Sequence, residues 1–127
     1  HNLPQFAAAL KSPTTPPDLS DFIALKEAYL RIVDAVFARE RLDALVFPQM
    51  REELPVTRAG TIQETTVGEL NIAGLPAVTV PAGYYASGAP FGLLFVGPLW
   101  SEATLLALAH DYETATRHRK APRLTAA

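Results

Sequence analysis

Cysteine is absent from the 127 residues, which removes disulfides, thiolate nucleophiles and cysteine metal sites from consideration. No apolar run approaches the roughly 18 residues that a membrane-spanning helix needs, and no stretch reads as a charged-then-apolar leader. Basic charge is not in excess either: 11 Lys and Arg stand against 13 Asp and Glu, for a formal net charge of -2. Binding to nucleic acid or to an anionic membrane depends on a basic surface, so neither is an expected partner. A cytoplasmic location is the expectation. The tail from Arg117 to Arg123 gathers basic residues, but it lacks aromatic interleaving and follows a helix end, where positive charge belongs. Histidine is scarce. His110 and His118 share a helix at a separation that points them in different directions, so no metal site is expected. His110 reads as a core or boundary residue.

What is present is apolar. Close to half of the chain is hydrophobic, enough for a core and against disorder. The 11 prolines are numerous for this length and punctuate the chain at Pro13 to Pro17 and Pro76 to Pro98. An N-terminal His without an initiator Met suggests a cut or a tag remnant. Residues 1–17 read as an arm and Pro-rich linker, 18–122 as a folded unit and 123–127 as a tail. Pro4 can open a short helix carrying Phe6 and Leu10, and no helix crosses SPTTPP at 12–17, because proline holds its predecessor extended.

Asp18 to about Arg39 is the clearest helix, with Asp18 or Ser20 able to cap it. Phe22, Leu25, Tyr29, Ile32, Val33 and Val36 recur at helical spacing, and Lys26, Glu27, Arg31 and Asp34 occupy the other side. Asp43 to Phe47 is a short buried strand stopped by Pro48. Gln49 to Gln63 shows little periodicity. Thr66 and Glu69 form a T-x-x-E capping box at the start of a short helix, which Gly74 ends in the left-handed conformation.

The stretch Asn71 to Gly97 organises the rest. Ala77 to Val80 is a β-branched strand, and Ser87-Gly88-Ala89-Pro90 is a turn. Leu93 to Val96 is a continuous apolar run, as in a strand covered on both faces. The short connection requires the two strands to be antiparallel, and Pro81 belongs at a strand end or an unpaired edge. Ser101 caps a final helix to about His118, with Leu105, Leu108, Ala109, Tyr112 and Ala115 as its apolar stripe. The fold class is α/β, a mixed sheet with flanking helices.

No catalytic set emerges from these residues. Ser12, Ser20, Ser87 and Ser101 lie in a linker, caps or a turn, and none stands in a G-x-S-x-G elbow. Glu52-Glu53 and Asp111/Glu113 are adjacent or near carboxylates of the solvated kind. No motif calls for a cofactor.

Asn71-Ile72-Ala73-Gly74-Leu75-Pro76-Ala77 through Val80-Pro81-Ala82-Gly83 resembles the N-x-x-G-L-P-A-x-x-V-P-x-G segment of amidase signature enzymes. Gly88 to Gly97 is similar to the family's following G-x-P-x-G-x-x-x-x-G strand, Ser101 to Leu106 to its last helix, and Asp43 to Pro48 to its D-x-L-L-x-P strand end. The resemblance runs from about Asp18 to Pro122 and implies a partial amidase-signature-like fold, the C-terminal portion only. It implies amide hydrolysis by a serine, a bridging serine and a lysine, which the family carries in a glycine-serine-rich part with no counterpart here. Lys11, Lys26 and Lys120 match none of them, so this chain alone is expected to be inactive. The resemblance further implies that Gln49, Met50, Ile62, Glu64, Thr66 and Val67 line the acyl side of a substrate pocket. Gln49 stands where the family commonly has Thr, and Glu64 stands near an acidic substrate-reading position of one member. The expected partner is the missing N-terminal amidase segment, with a small amide as substrate of the complete enzyme. The alternative is a non-catalytic module that self-associates as a homo-oligomer, because Leu93 to Val96 would be bare without its natural neighbours.

Overall fold

Residues 10–55 and 66–121 are described in a computed structural model of the chain. Ile62 and Glu64, most of the N-terminal arm, Pro122 and the 123–127 tail lie outside the described residues. In order, the elements are α1 (Ser20–Glu40), β1 (Leu45–Pro48), α2 (Gly68–Ala73), β2 (Ala77–Tyr84), β3 (Pro90–Val96) and α3 (Glu102–Thr116). The three strands form one sheet in the order β1-β3-β2, and both pairings are antiparallel. Parallel pairs of the expected mixed sheet do not occur among the described residues.

The central strand is β3, for the reason its composition gives. Leu94, Phe95 and Val96 are buried, and their side chains alternate between two layers. Leu94 and Val96 pack with Leu70, Ala73 and Leu75 from α2 and its exit, supported by Leu30, Val33, Leu45 and Phe47. Phe95 points to the other face, with Val80, Leu105 and Ala109, and α3 covers that face. The run Leu93 to Val96 is therefore covered within the chain, and an associating surface has to be sought on other residues.

Pro81 lies inside β2, opposite Gly92, on an edge strand and next to a register shift between Pro81 and Gly83. An edge strand tolerates the missing donor, and the irregularity releases the ladder locally. Gly83 takes φ 146 at this point. The hairpin closes through Gly88, φ 90, whose N–H donates to the Tyr85 carbonyl at 2.9 Å.

Several helix details differ from the sequence reading. Of the stripe expected on α1, Tyr29 and Val33 pack against the core, together with Leu30, and Phe37 is buried, whereas Phe22, Leu25 and Ile32 are exposed. Leu19 occupies the N-cap position of α1 without a side-chain bond, yet Asp18 Oδ1 accepts the Ser20 N–H at 2.9 Å. The Ser20 backbone bond, with a lesser contribution from its hydroxyl, lowers the Asp18 pKa from its ordinary 3.8. The capping box of α2 does not form, because Thr66 turns its hydroxyl away from the helix and donates to the carbonyls of Pro48 and Gln49. Gly74 ends α2 as expected, at φ 76 with its N–H on the Leu70 carbonyl at 2.8 Å.

Ser101 holds the N-cap position of α3, but its hydroxyl donates to the Pro98 carbonyl at 2.7 Å. Along α3, Leu105 and Ala109 are buried and Tyr112 is half-buried, while Ala115 and His110 are exposed. His110 directly follows Ala109 and so falls off the row that meets the sheet, which corrects its reading as a core or boundary residue. The segment after α3 is tied back by Tyr84, whose hydroxyl accepts the Lys120 N–H at 2.9 Å.

Candidate functional site

Strand lengths create the site. β1 has four residues and β2 eight, so the β2–β3 hairpin runs past the end of β1. The residues following Pro48 then pass beside this overhang. Gln49 N–H donates to the Gly92 carbonyl at 3.2 Å, which fixes the first of them on β3. Its own carbonyl accepts both the N–H (3.2 Å) and the hydroxyl (2.9 Å) of Thr66. Thr66 thereby returns the chain to the end of β1 and starts α2 there. Farther along, the Ser87 hydroxyl donates to the Glu53 carboxylate and joins the segment to the hairpin turn.

Between segment and hairpin lies a half-open cleft of about 360 Å³, within the size range of small-molecule sites. Gln49, Met50 and Leu54 form one side, and Thr79, Pro81 and Phe91 the other. Tyr85 stands edge-to-face on Phe91 with ring centroids 5.9 Å apart, a favoured aromatic geometry. Gly92 allows the close approach across the floor. A methyl group there would come within 3.0 Å of Thr79 Cγ2 and 3.4 Å of Gln49 Oε1. The Gln49 amide thus lies over the strand beside Thr79, able to donate and accept hydrogen bonds.

Of the residues expected to bind substrate, Gln49 and Met50 line this cleft. Thr66 holds it from behind through the Pro48 and Gln49 carbonyls. Val67 packs against the core cluster of α2 and β3 and is not among the cleft residues. Ile62 and Glu64 lie outside the described residues. Thr79, Tyr85 and Phe91 were not anticipated. Their signal was the excess length of the hairpin arms over DALVF, which forces side chains beyond Pro48 to face whatever follows it.

The lining residues include no Ser, Cys, Lys or His. The hydroxyls of Ser87 and Ser101 are engaged by Glu53 and Pro98. The cleft is equipped to hold and orient an apolar group, with the Gln49 amide, the Thr79 and Tyr85 hydroxyls and the Glu52 carboxylate as its polar groups. Among the described residues no cluster of His, Asp and Glu is placed to hold a metal ion, and no helix is long and apolar enough to cross a membrane.

No protein-family profile matches the chain. Curated relatives include a glutamyl-tRNA(Gln) amidotransferase subunit from Chromobacterium violaceum, 48% identical over 56 residues, covering 43% of this chain and 12% of the relative. The same subunit from Dehalococcoides mccartyi is 35% identical over 95 residues, covering 68% of this chain and 19% of the relative. Among solved structures, native peptide amidase from Stenotrophomonas maltophilia superposes with a TM-score of 0.69 at 32% identity, over 90% of this chain and 24% of that one. An amidase family protein from Bacillus anthracis gives 0.67 at 28% identity, over 93% and 21%. The chain spans less than a fifth of the length of these curated relatives and less than a quarter of these solved structures.

Proposed function

We propose, for a chain that is amidase-signature in sequence and in fold, that it is the C-terminal segment of an amidase-like hydrolase acting on carboxylic amides. In this reading the segment contributes part of the core and one wall of the substrate pocket. The serine, bridging serine and lysine are carried by the remainder of the enzyme. The observation that supports it most directly is the cleft beyond β1, which brings Gln49 and Met50 against Thr79 and Phe91 with no serine or lysine among its lining residues. Such a wall positions an acyl group, and positioning is a substantial part of catalysis by itself.

Gln49 and Met50 are assigned to contact the acyl portion of the amide, and Thr66 holds them in place from behind through the Pro48 and Gln49 carbonyls. Val67 supports the wall from the core. The substrate is a small carboxamide, and ammonia or an amine leaves on hydrolysis.

The test is ammonia release by the full-length product of the gene that encodes this segment, over a panel of aryl, alkyl and C-terminally amidated dipeptide substrates. The expected result is turnover by the full-length protein and none above the blank by the 127-residue chain. Turnover by the short chain alone, or a full-length protein inert to every amide in the panel, would overturn the reading.

A further inference from the structure

Helix α1 carries two apolar rows, and the described part of the chain covers each of them only in part. The first is Leu19, Ile23, Leu30, Val33 and Phe37, interrupted by Lys26, at alternating steps of four and three. Its second half enters the core, with Phe37 5% exposed, whereas Leu19 and Ile23 are 50% exposed. The second row is Phe22, Leu25, Tyr29, Ile32 and Val36. Here Tyr29 packs against the core, whereas Phe22 is 46%, Leu25 72% and Ile32 65% exposed. The charged side of the helix is narrow, formed by Glu27, Arg31 and Asp34, with Arg31 4.0 Å from Glu27.

A helix that packs on one neighbour shows a single apolar stripe and a broad polar side. Two rows over five turns require a second neighbour. Isolated exposed leucines need no explanation, but a periodic row does. Nothing among the described residues covers Leu25 and Ile32. The solved peptide amidase on which this chain superposes at a TM-score of 0.69 is matched over only 24% of its length, so a large body of chain is available to supply the missing neighbour.

We propose that the row Phe22, Leu25 and Ile32 of α1, with the overhanging Leu19 and Ile23, is the surface against which the remainder of the amidase-type chain packs. This rests on the reading of the segment as part of a larger enzyme. The occupant is an apolar face of that remainder, and the row Glu27, Arg31, Asp34 stays in solvent and sets the orientation of the helix.

The absence of cysteine permits a test that leaves the fold undisturbed. Single variants Leu25→Cys, Ile32→Cys and Arg31→Cys are made in the 127-residue chain and in a cysteine-free background of the full-length gene product, and thiol labelling is timed under native conditions. The expected result is rapid labelling of all three in the short chain. In the full-length protein, positions 25 and 32 should label about 100-fold or more slowly, because access then needs local opening. Position 31 should label alike in both. Equal rates at 25 and 32 in the two proteins would overturn the proposal. So would protection in the short chain that disappears on dilution, which makes a second copy the occupant, or a gene product no longer than the 127 residues. Protection at 25 and 32 in a full-length protein that hydrolyses no amide would uphold the packing surface and sink the functional reading alone.

Discussion

Thr66 donates its hydroxyl to the carbonyl of Pro48 at 2.7 Å across a sequence gap of 18 residues. The contact joins the start of α2 to the end of β1, and it turns the hydroxyl away from a helix whose N-cap position falls one residue later, at Val67, so the capping box is missing. Thr66→Val should therefore lower stability by about 1 kcal/mol, the usual worth of one hydrogen bond. Glu69→Ala, which would break a capping box, should leave stability nearly unchanged. Urea unfolding of the two variants checks the contrast, and equal losses would contradict it.

Gly97 stands where β3 leaves the sheet. A methyl group at this position would collide with Ser101 Oγ and approach Leu105 Cδ2 to 3.2 Å. Gly97→Ala should cost about 1–3 kcal/mol, the range for forced overpacking. Adding Ser101→Ala removes the hydroxyl from the collision, so the double variant should be more stable than the sum of the single losses predicts. Thermal unfolding in a double-mutant cycle measures the coupling.

The two rows of α1 differ in stability terms as well. Phe37→Ala empties a buried site and should cost about 3–5 kcal/mol. In the 127-residue chain Phe22→Ala and Leu25→Ala act on exposed positions and should each stay within about 0.5 kcal/mol of the parent. Guanidinium unfolding of the three variants provides the comparison.

Asp18 carries the acid-side pH dependence that can be argued from geometry. Its folded pKa lies below the ordinary 3.8 because the ionised carboxylate accepts the Ser20 N–H. A lowered carboxyl stabilises the fold above its unfolded pKa, and the contribution disappears as the pH falls through the folded value. Asp18→Ala should thus be slightly less stable than the parent at neutral pH and equal to it once the pH is below the folded value. Helix content followed from neutral pH down through the acid range for both proteins decides this, and a deficit that persists in acid would point to another cause.

Much of the fold was legible because its signals are local. A β-branched run, a Gly-Ala-Pro turn and an uninterrupted LLFV predicted the hairpin and its burial, and Gly74 marked the end of α2. Side-chain choices among competing partners were not legible. Thr66 and Ser101 each sit at a helix start with the right chemistry for capping, and each spends its hydroxyl on a carbonyl that only the tertiary fold brings near. The buried face of α1 was legible only in part for a related reason, since Tyr29 and Val33 of the expected stripe meet the core but Leu30 and Phe37 lay outside it. Both rows have helical spacing, and periodicity cannot say which of two apolar rows meets the core. For the cleft, the segment after Pro48 pointed to Gln49 and Met50, while Thr79, Tyr85 and Phe91 depended on register. Pairing Phe47 with Leu94 and Thr79 with the same residue decides which residues project past β1, and no single segment contains that information.

Proline lies on both margins of the three-stranded sheet, as Pro48 in β1 and Pro81 in β2. Neither has an N–H to offer, so a foreign strand laid along either rim meets a gap in the donor sequence. Backbone-driven stacking into fibrils is thereby handicapped at both sides. Recognition by this chain is left to its side chains, which can discriminate among neighbours, whereas an open strand edge accepts almost any sequence.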